Sequence, residues 1–259
     1  MLRPRITPCL LVRDGGLVKT IQFKHSTYVG DPINAVKIFN EKEADELIVL
    51  DIDATANGAE PDVKLIARLA AECRMPLCYG GGIKTARQAK NIIGLGVEKV
   101  ALSSTAIETP QLLTEISQEI GNQSVVLVLD VKRRAFRGGY EVYIQNGVKP
   151  TGRDPISLAT EAEALGVGEV VINSIDRDGM MKGYDLELAT RIRAATRLPL
   201  TFLGGAGALS DLTELIQACG VVGAAAGSLF VFKGAYKAVL INYPSADQKA
   251  ELIRSAFTH

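Results

Sequence analysis

The sequence predicts an α/β protein in the form of one (β/α)₈ TIM barrel, and three observations support this. Apolar, strand-like runs alternate with helix-like segments eight times along the 259 residues. Three of the runs end in carboxylate residues, at Asp53, Asp130 and Asp178. Motifs of the first half also recur in the second half. Because parallel barrels carry their sites at the carboxyl ends of the strands, we expect a single domain over residues 1–259 with its chemistry at one rim.

The elements can be assigned in order from apolar patterning and helix-start signals. Asp31 and Pro32 open the first helix, since an acidic cap followed by proline favours a helix start. The predicted strands cover residues 6–12, 46–53, 76–83, 99–104, 124–130, a run that starts at 171, 199–207 and 221–228. The later helices cover residues 62–73, 85–95, 110–120, 154–165, 185–195, 210–218 and 235–241, and a long polar insert follows the fifth strand. This order favours a closed barrel over an open doubly wound sheet.

An internal repeat divides the chain into two halves. The third strand ends in PLCYGGG and the seventh in PLTFLGG, while LDID of the second strand corresponds to SIDRDG of the sixth. The fourth strand, VALSSTAI, is similar to the eighth, AAAGSLFV. Residues 1 to about 121 and the remainder are therefore interpreted as two duplicated half-barrels. A duplicated half-barrel should bind two copies of one ligand feature.

Glycines and small hydroxyl residues indicate what that feature is. Gly80–Gly82 and Gly204–Gly205 lie where strands meet loops, and Ser103–Ser104 and Gly227–Ser228 follow one unit later. Glycine lets the backbone approach an anion closely, and N–H groups at a helix start supply donors. The pattern predicts two phosphate sites and therefore a bisphosphorylated small-molecule substrate. The alternative is that these glycines only form tight turns.

Composition excludes several classes of protein. Lys and Arg total 29, as do Asp and Glu, so no basic excess indicates nucleic acid or a membrane surface. The four cysteines lack metal-ligand spacing, and we expect buried reduced thiols, no metal and no cofactor. The first residues, MLRPRITPCLLV, contain no long apolar core and no cleavage site, so we expect no secretion signal. No apolar run reaches the roughly 18 residues that span a bilayer. We expect a cytoplasmic protein.

The motifs together resemble one known family. PCLLVRDG, LDID, YGGGI, SIDRDG with KGYDLEL, and GGAG are similar to the cyclase subunit of imidazole glycerol phosphate synthase, from Met1 to about Tyr243. The resemblance implies a lyase of histidine biosynthesis that receives ammonia from a glutaminase, docked as a heterodimer on the bottom face of the barrel. Its reaction would convert a bisphosphorylated ribulosyl-formimino aminoimidazole carboxamide nucleotide into imidazole glycerol phosphate. Two carboxylates would serve as general acid and base.

The resemblance also implies roles for individual residues. Asp130 matches the second catalytic Asp, and Lys19 and Asp51 match further catalytic positions at the mouth. The implied substrate phosphate-binding residues are Gly82, Ser103, Ser104, Asp178, Gly179, Gly205, Gly227 and Ser228. The implied ammonia gate, at the opposite end of the barrel, consists of Arg5, Glu46, Lys99 and Glu169. Plain salt bridging is the structural alternative for this ring of alternating charge.

One position departs from the family pattern in a way that affects the chemistry. The first strand contains PCLLV where the family has PCLDV, so Leu11 replaces the first catalytic Asp. Losing one of two acid–base groups removes a factor of about 10²–10⁴ in rate. Asp14 is the candidate substitute, although it lies past the end of the strand. Asp53 and Asn146 are further changes from the family pattern.

Three hypotheses follow from these residues. The chain is a cyclase of histidine biosynthesis, an ammonia-channelling paralogue with weak or no cyclase activity, or an unrelated barrel isomerase that acts on a bisphosphate. The paralogue, as the resemblance implies, would serve acetamidino-sugar synthesis in lipopolysaccharide or other surface polysaccharide biosynthesis. The matching ammonia gate disfavours the isomerase, and Leu11 discriminates between the first two.

Overall fold

Strands and helices alternate through the computed structural model, which describes residues 3–135, 138–234 and 236–258. The strands in these ranges are Arg5–Arg13 (β1), Gly16–Ile21 (β2), Lys24–Gly30 (β3), Leu47–Asp51 (β4), Leu77–Gly80 (β5), Lys99–Leu102 (β6), Val125–Arg133 (β7), Tyr140–Ile144 (β8), Lys149–Pro150 (β9), Glu169–Ser174 (β10), Leu200–Leu203 (β11), Gly223–Ala226 (β12), Phe232–Lys233 (β13) and Ala238–Val239 (β14). The helices are Pro32–Glu41 (α1), Val63–Glu72 (α2), Ala86–Gly94 (α3), Ser104–Glu108 (α4), Gln111–Ile120 (α5), Pro155–Glu161 (α6), Leu186–Ala195 (α7), Leu209–Cys219 (α8), Ser228–Val231 (α9) and Ala246–Phe257 (α10).

Eight of the strands form a closed parallel barrel. In the order β1, β4, β5, β6, β7, β10, β11 and β12, each strand pairs in parallel with the next. The barrel closes because β12 also pairs in parallel with β1, with Arg5 opposite Gly223. Helices connect successive barrel strands, so the predicted TIM barrel is confirmed.

Side chains of the barrel strands pack in two directions, because alternate residues of a strand point to opposite faces. One set, which includes Ile6, Leu10 and Leu129, packs against the surrounding helices. The other set, which includes Cys9 and Val128, forms a separate apolar cluster inside the barrel. The inward positions therefore form layers that lead from the bottom of the barrel to its mouth.

Five of the connecting helices begin at a side-chain cap. The capping side chains, each of which accepts a hydrogen bond from the first turn of its helix, belong to Asp31, Asp62, Thr85, Asp154 and Asp185. Such caps satisfy backbone N–H groups that have no partner within the helix. The helix starts predicted from these residues are therefore confirmed. The helix α6 ends at Glu161, earlier than predicted, because the chain turns between 162 and 166.

The two halves carry matching additions that the sequence pattern did not predict. After β1 the chain forms the antiparallel strands β2 and β3, and after β7 it forms the antiparallel strands β8 and β9. The helices α4 and α9 likewise follow the last barrel strand of each half. The duplication is confirmed, and the polar insert after β7 is largely ordered sheet. Buried Tyr140, Val142 and Ile144 alternate with more exposed residues there, which is a strand pattern.

The last predicted helix, at 235–241, is wrong. Residue 235 lies outside the described residues, and the segments around it pair as β13 and β14. The chain reverses after Gly234, whose φ of 75° suits glycine. The last helix is instead α10, which Ser245 caps together with Gln248. Among the described residues, no helix has both the length and the apolar composition that a bilayer span requires.

Candidate active site

A cavity lies at the mouth of the barrel, at the carboxyl ends of the barrel strands. It contains about 1260 Å³ of empty space, including the part open to solvent. The predicted catalytic and phosphate-binding residues that line it are Lys19, Asp51, Gly82, Ser103, Ser104, Asp130, Asp178 and Gly227. Leu11 and Asn173 also line it. The barrel therefore brings residues from distant parts of the sequence into one cavity.

Asp130 lies at the mouth on β7 and is held by two neighbours. Its Oδ1 accepts a hydrogen bond from Asn173 Nδ2 at 3.0 Å, and its Oδ2 accepts one from Ser103 Oγ at 3.4 Å. Burial raises the pKa of Asp130 to about 6, although both hydrogen bonds favour the ionised form. A carboxyl group with this pKa can exchange protons close to neutral pH, which suits general acid–base chemistry.

Lys19 reaches the cavity from β2, which is not a barrel strand. Its Nζ donates to the backbone carbonyl oxygen of Cys9 at 2.6 Å. Burial lowers the pKa of Lys19, and the negative charge of Asp178 opposes that shift. A side chain at 227 would lie against Lys19 Nζ and displace it from its present position. The second-half motif at Gly227 therefore makes room for the lysine of the first half.

The carboxylates of Asp51 and Asp178 both accept hydrogen bonds from neighbouring turn or hairpin residues. Asp51 accepts backbone hydrogen bonds from Asp53 and Ala54, at 3.3 and 3.2 Å, and burial raises its pKa. Asp178 Oδ2 accepts from Thr20 Oγ1 at 2.7 Å and from the backbone N–H of Phe23 at 3.3 Å. Burial also raises the pKa of Asp178. Asp178 therefore connects the loop after β10 to the β2–β3 hairpin that carries Lys19.

Leu11 lies on the opposite side of the barrel from Asp130. In the barrel order three strands separate β1 from β7 on either side, so the ends of these two strands face each other. Leu11 is an inward residue near the carboxyl end of β1, and it packs against the apolar cluster inside the barrel. Asp14 does not compensate, since it lies exposed in the turn before β2 and outside the cavity lining.

Three of the implied phosphate-binding residues, Gly179, Gly205 and Ser228, lie outside the cavity lining among the described residues. The two glycines have packing roles of their own. A side chain at Gly179 would collide with the carbonyl oxygen of Thr20, and one at Gly205 with the carbonyl oxygen of Gly183. Their φ values of 68° and 110° also favour glycine. Backbone crowding thus accounts for both glycines without a ligand.

The turn between β8 and β9 crosses part of the mouth. The backbone N–H of Gln145 donates to Ser104 Oγ at 3.0 Å, so this hydroxyl already has one protein partner. Asn146 Nδ2 donates to Asp53 Oδ1 at 3.0 Å, and Asp53 also accepts from Arg13 Nε at 2.5 Å. The residues at two departures from the family pattern, Asp53 and Asn146, thus contact each other.

At the bottom of the barrel, four charged side chains form a closed ring. Arg5 contacts Glu46 at 2.7 Å and Glu169 at 2.6 Å, while Lys99 contacts Glu46 at 2.5 Å and Glu169 at 2.8 Å. Thr201 Oγ1 adds a hydrogen bond to Glu169 at 2.6 Å. Burial alone would raise the pKa of Glu169, but Arg5 and Lys99 lower it, whereas burial and the neighbouring Glu169 raise the pKa of Glu46. The ring therefore consists of two cations and two carboxylates in mutual contact.

Comparison with known proteins agrees with this geometry. The sequence pattern of the family described as "Histidine biosynthesis protein" matches residues 5–237. The chain belongs to this family. It is similar to two proteins provisionally named as imidazole glycerol phosphate synthase subunits. One is hisF3 of Vibrio vulnificus, 56% identical over 98% of this chain and 97% of that protein. The other is HisF of Leptospira interrogans, 57% identical over 97% and 99%.

A further relative carries the unqualified name. Imidazole glycerol phosphate synthase subunit HisF of Exiguobacterium sibiricum is 42% identical over 89% of this chain and 91% of its own length. The similarity thus spans nearly the whole barrel. It supports a cyclase-type enzyme subunit as the general class of this member of the histidine biosynthesis family.

Sequence reasoning missed two inward polar residues of this family member, Thr7 and Asn173. Thr7 Oγ1 and Asn173 Oδ1 are buried atoms without a hydrogen-bond partner among the residues that the structure describes. A signal for Asn173 was present in the sequence. Glu169, Val171 and Asn173 alternate along β10, and in a strand such residues share a face. The inward position of Glu169 in the ring therefore predicts that Asn173, four residues later, also points inward, at the mouth.

Proposed function

We propose that this protein is the ammonia-receiving barrel subunit of a glutamine-dependent complex, with weak cyclase activity of its own. One observation carries the proposal. The side chain opposite Asp130 at the mouth is Leu11, while the ring of Arg5, Glu46, Lys99 and Glu169 at the bottom is complete. The ring at the bottom of the barrel is thus complete, whereas the acid–base pair at the mouth lacks one of its two groups.

The ring has the properties of a gate for a small neutral molecule. Its charges cancel, and Arg5 keeps 29% of its side chain exposed while Glu46 and Glu169 keep 4% and 6%. Above the ring the barrel interior is mainly apolar, which disfavours ions. Ammonia that enters while Arg5 or Lys99 swings aside would remain unprotonated and nucleophilic inside the barrel.

The partner we propose is a glutaminase docked on the bottom face around this ring. The relatives are named as subunits of a synthase, which supports an assembly rather than a lone chain. A specific interface there should bury at least about 1,000 Å². The acetamidino-sugar pathway that the family resemblance implies is the proposed use of the ammonia, because that use does not require a carboxylate at the position of Leu11.

Full cyclase activity in histidine biosynthesis is the second candidate function. Asp130, with its pKa near 6, and Lys19, with its lowered pKa, line the same cavity and favour it. The substrate would be the bisphosphorylated ribulosyl-formimino nucleotide, and cyclisation would need a second proton-transfer group. Leucine cannot transfer a proton, so this candidate requires that Asp130 alone serves both steps.

The experiment that separates the two candidates supplies the purified chain with ammonium salt and this nucleotide. We expect slow formation of imidazole glycerol phosphate by the wild-type protein. Leu11→Asp should raise the rate by about 10²–10⁴, because it restores a carboxylate opposite Asp130. Leu11→Asn is the matched control, since it is similar in size and polarity but transfers no proton. A wild-type rate equal to that of Leu11→Asp would contradict the proposal.

A further inference from the structure

The amide of Asn173 is oriented by the group to which it donates. Asn173 is 5% exposed and lines the cavity at the end of β10. Its Nδ2 lies 3.0 Å from Asp130 Oδ1, and an ionised carboxylate can only accept hydrogen bonds. The amide nitrogen must therefore face Asp130, and this leaves Oδ1 as a buried acceptor without a partner among the described residues. An unsatisfied buried acceptor of this kind is unfavourable unless a ligand donates to it.

The register of the barrel places two acceptors side by side. Asn173 and Asp130 are direct partners in the parallel pairing of β10 with β7. Asn173 Oδ1 also lies 3.3 Å from the position that a Cβ at Gly204 would occupy, so a side chain at residue 204 would crowd this acceptor. Two neighbouring acceptors, one of them anionic, favour a small ligand that carries several N–H donors and a positive charge. They disfavour a phosphate group.

Asn173 lies above the ring on β10, the strand that also carries the ring residue Glu169. Glu169 belongs to the ring, Val171 to the apolar cluster inside the barrel, and Asn173 to the mouth, each two residues further along β10. Two residues of a strand span about 6.6 Å, so the mouth lies about 13 Å from the ring. Thr7 Oγ1, a second inward atom without a partner among the described residues, is two residues above Arg5 on β1.

We infer that Asn173 Oδ1 and the Asp130 carboxylate form a binding site for ammonia or ammonium at the mouth. This site would receive the ammonia that has passed through the charged ring at the bottom of the barrel. The inference rests on the proposed function, because the barrel must carry ammonia for such a site to be used. Ammonium would donate one hydrogen bond to the amide oxygen and one to the carboxylate. Asn173 thus binds the ammonia or ammonium and also positions the carboxylate of Asp130.

A crystallographic experiment tests the site without any partner protein. Crystals of the wild-type chain at pH 8 are soaked in rubidium chloride, since Rb⁺ has about the size of ammonium and scatters anomalously. We expect an anomalous peak within contact distance of both Asn173 Oδ1 and the Asp130 carboxylate. Asn173→Leu should abolish it, while Thr7→Val, an isosteric change at a lower layer, should retain it. No peak in the wild type, or a peak that persists in Asn173→Leu as an adventitious ion only, would overturn the inference.

A titration in solution uses ammonium itself. The ¹³C resonance of the Asp130 carboxyl group, assigned with Asp130→Asn, is followed as ammonium chloride is added at pH 8. We expect a saturable shift, with tetramethylammonium chloride producing none because it lacks N–H donors. Asn173→Leu should raise the apparent dissociation constant at least about tenfold, the effect of losing one charge-assisted hydrogen bond. Equal responses to both salts would sink the site, and since no glutaminase is present, this outcome is distinguishable from failure to bind the partner.

Discussion

At the scale of single residues, Asp130 has polar neighbours at the mouth, whereas Leu11 has apolar ones. Asp130 remains ionisable because Asn173 and Ser103 donate to its two oxygens in an otherwise enclosed position. Leu11 is partly buried and packs against the apolar cluster that fills the barrel below the mouth. The apolar surface therefore extends up one side of the cavity, while the polar groups converge on the other side.

The first residue-scale prediction concerns the pH dependence of stability. The pKa of Asp130 in the folded protein is about 6, against an ordinary value of 3.8. Between these values the folded state binds more protons than the unfolded state, so stability falls as pH rises through about 4 to 6. Asp130→Asn removes this term. Relative to Asp130→Asn, the wild-type protein should lose roughly 3 kcal/mol between pH 3.5 and 7.5, measured by urea denaturation.

The control for this measurement is Asp14→Asn, because Asp14 is an exposed carboxylate in the turn after β1. The difference in stability between this variant and the wild type should stay nearly constant over the same pH range. If the difference between the wild type and Asp130→Asn were equally constant, Asp130 would have an ordinary pKa. Its assignment as the proton-transfer group at neutral pH would then fail.

At the scale of elements, the β2–β3 hairpin is an addition to the barrel that places Lys19 in the mouth. Asp178 holds this hairpin through Thr20 and Phe23, and the backbone N–H of Gln22 donates to the carbonyl oxygen of Asp178 at 3.0 Å. The resemblance implies a phosphate-binding role for Asp178, whereas its contacts in the structure are with the hairpin. The loop after β10 therefore controls the position of a residue that belongs to the other half of the barrel.

We predict that Asp178→Ala loosens the hairpin. The change removes the acceptor of two hydrogen bonds, from Thr20 Oγ1 and Phe23 N–H, each worth about 0.5–1.5 kcal/mol. Amide hydrogen exchange in residues 19–23 should accelerate roughly tenfold or more, as local opening becomes easier. Asp178→Asn is the matched control, because its side-chain oxygen can still accept, and it should accelerate exchange less. Unchanged exchange in Asp178→Ala would show that other contacts hold the hairpin.

At the scale of the whole molecule, the barrel separates two polar regions with an apolar interior. The ring lies at the amino ends of the strands, the cavity lies at their carboxyl ends, and the cluster around Cys9 and Val128 lies between them. Residues at the mouth can therefore vary while the ring at the bottom is kept. A member of the histidine biosynthesis family with Leu11 at the mouth illustrates such a separation.

The prediction at this scale concerns the coupling of the two regions. Lys99→Met leaves Glu46 and Glu169 with Arg5 as their one cation within the ring, and losing a partner from a buried ion pair costs about 3–5 kcal/mol. In the complex with the glutaminase, we expect less nitrogen to be transferred to product per glutamine hydrolysed. Product and glutamate are measured together in a timed assay. Folding of the variant is checked by its thermal unfolding.

Lys90→Met provides the matched control, because Lys90 lies on the outer surface and pairs with Glu119 on a neighbouring helix. This variant should keep the wild-type ratio of product to glutamate. If Lys99→Met, correctly folded and bound to the glutaminase, also kept that ratio, the ring would be a structural salt-bridge cluster. The ammonia-gate role would then be excluded. The rubidium experiment would still test the proposed binding site at Asn173 separately.

The sequence by itself determined the barrel, its two halves and most helix starts, and its resemblance to a known family indicated the four ring residues. The first three depend on local patterns, namely alternation along a strand or a cap before a helix. Only the tertiary structure decided that Asn173 lies beside Asp130, that Asp178 holds the hairpin of Lys19, and that Gly205 is required by the backbone of Gly183. These contacts join residues from different strands and loops. Strand register and barrel closure bring them together, and no local pattern specifies either one.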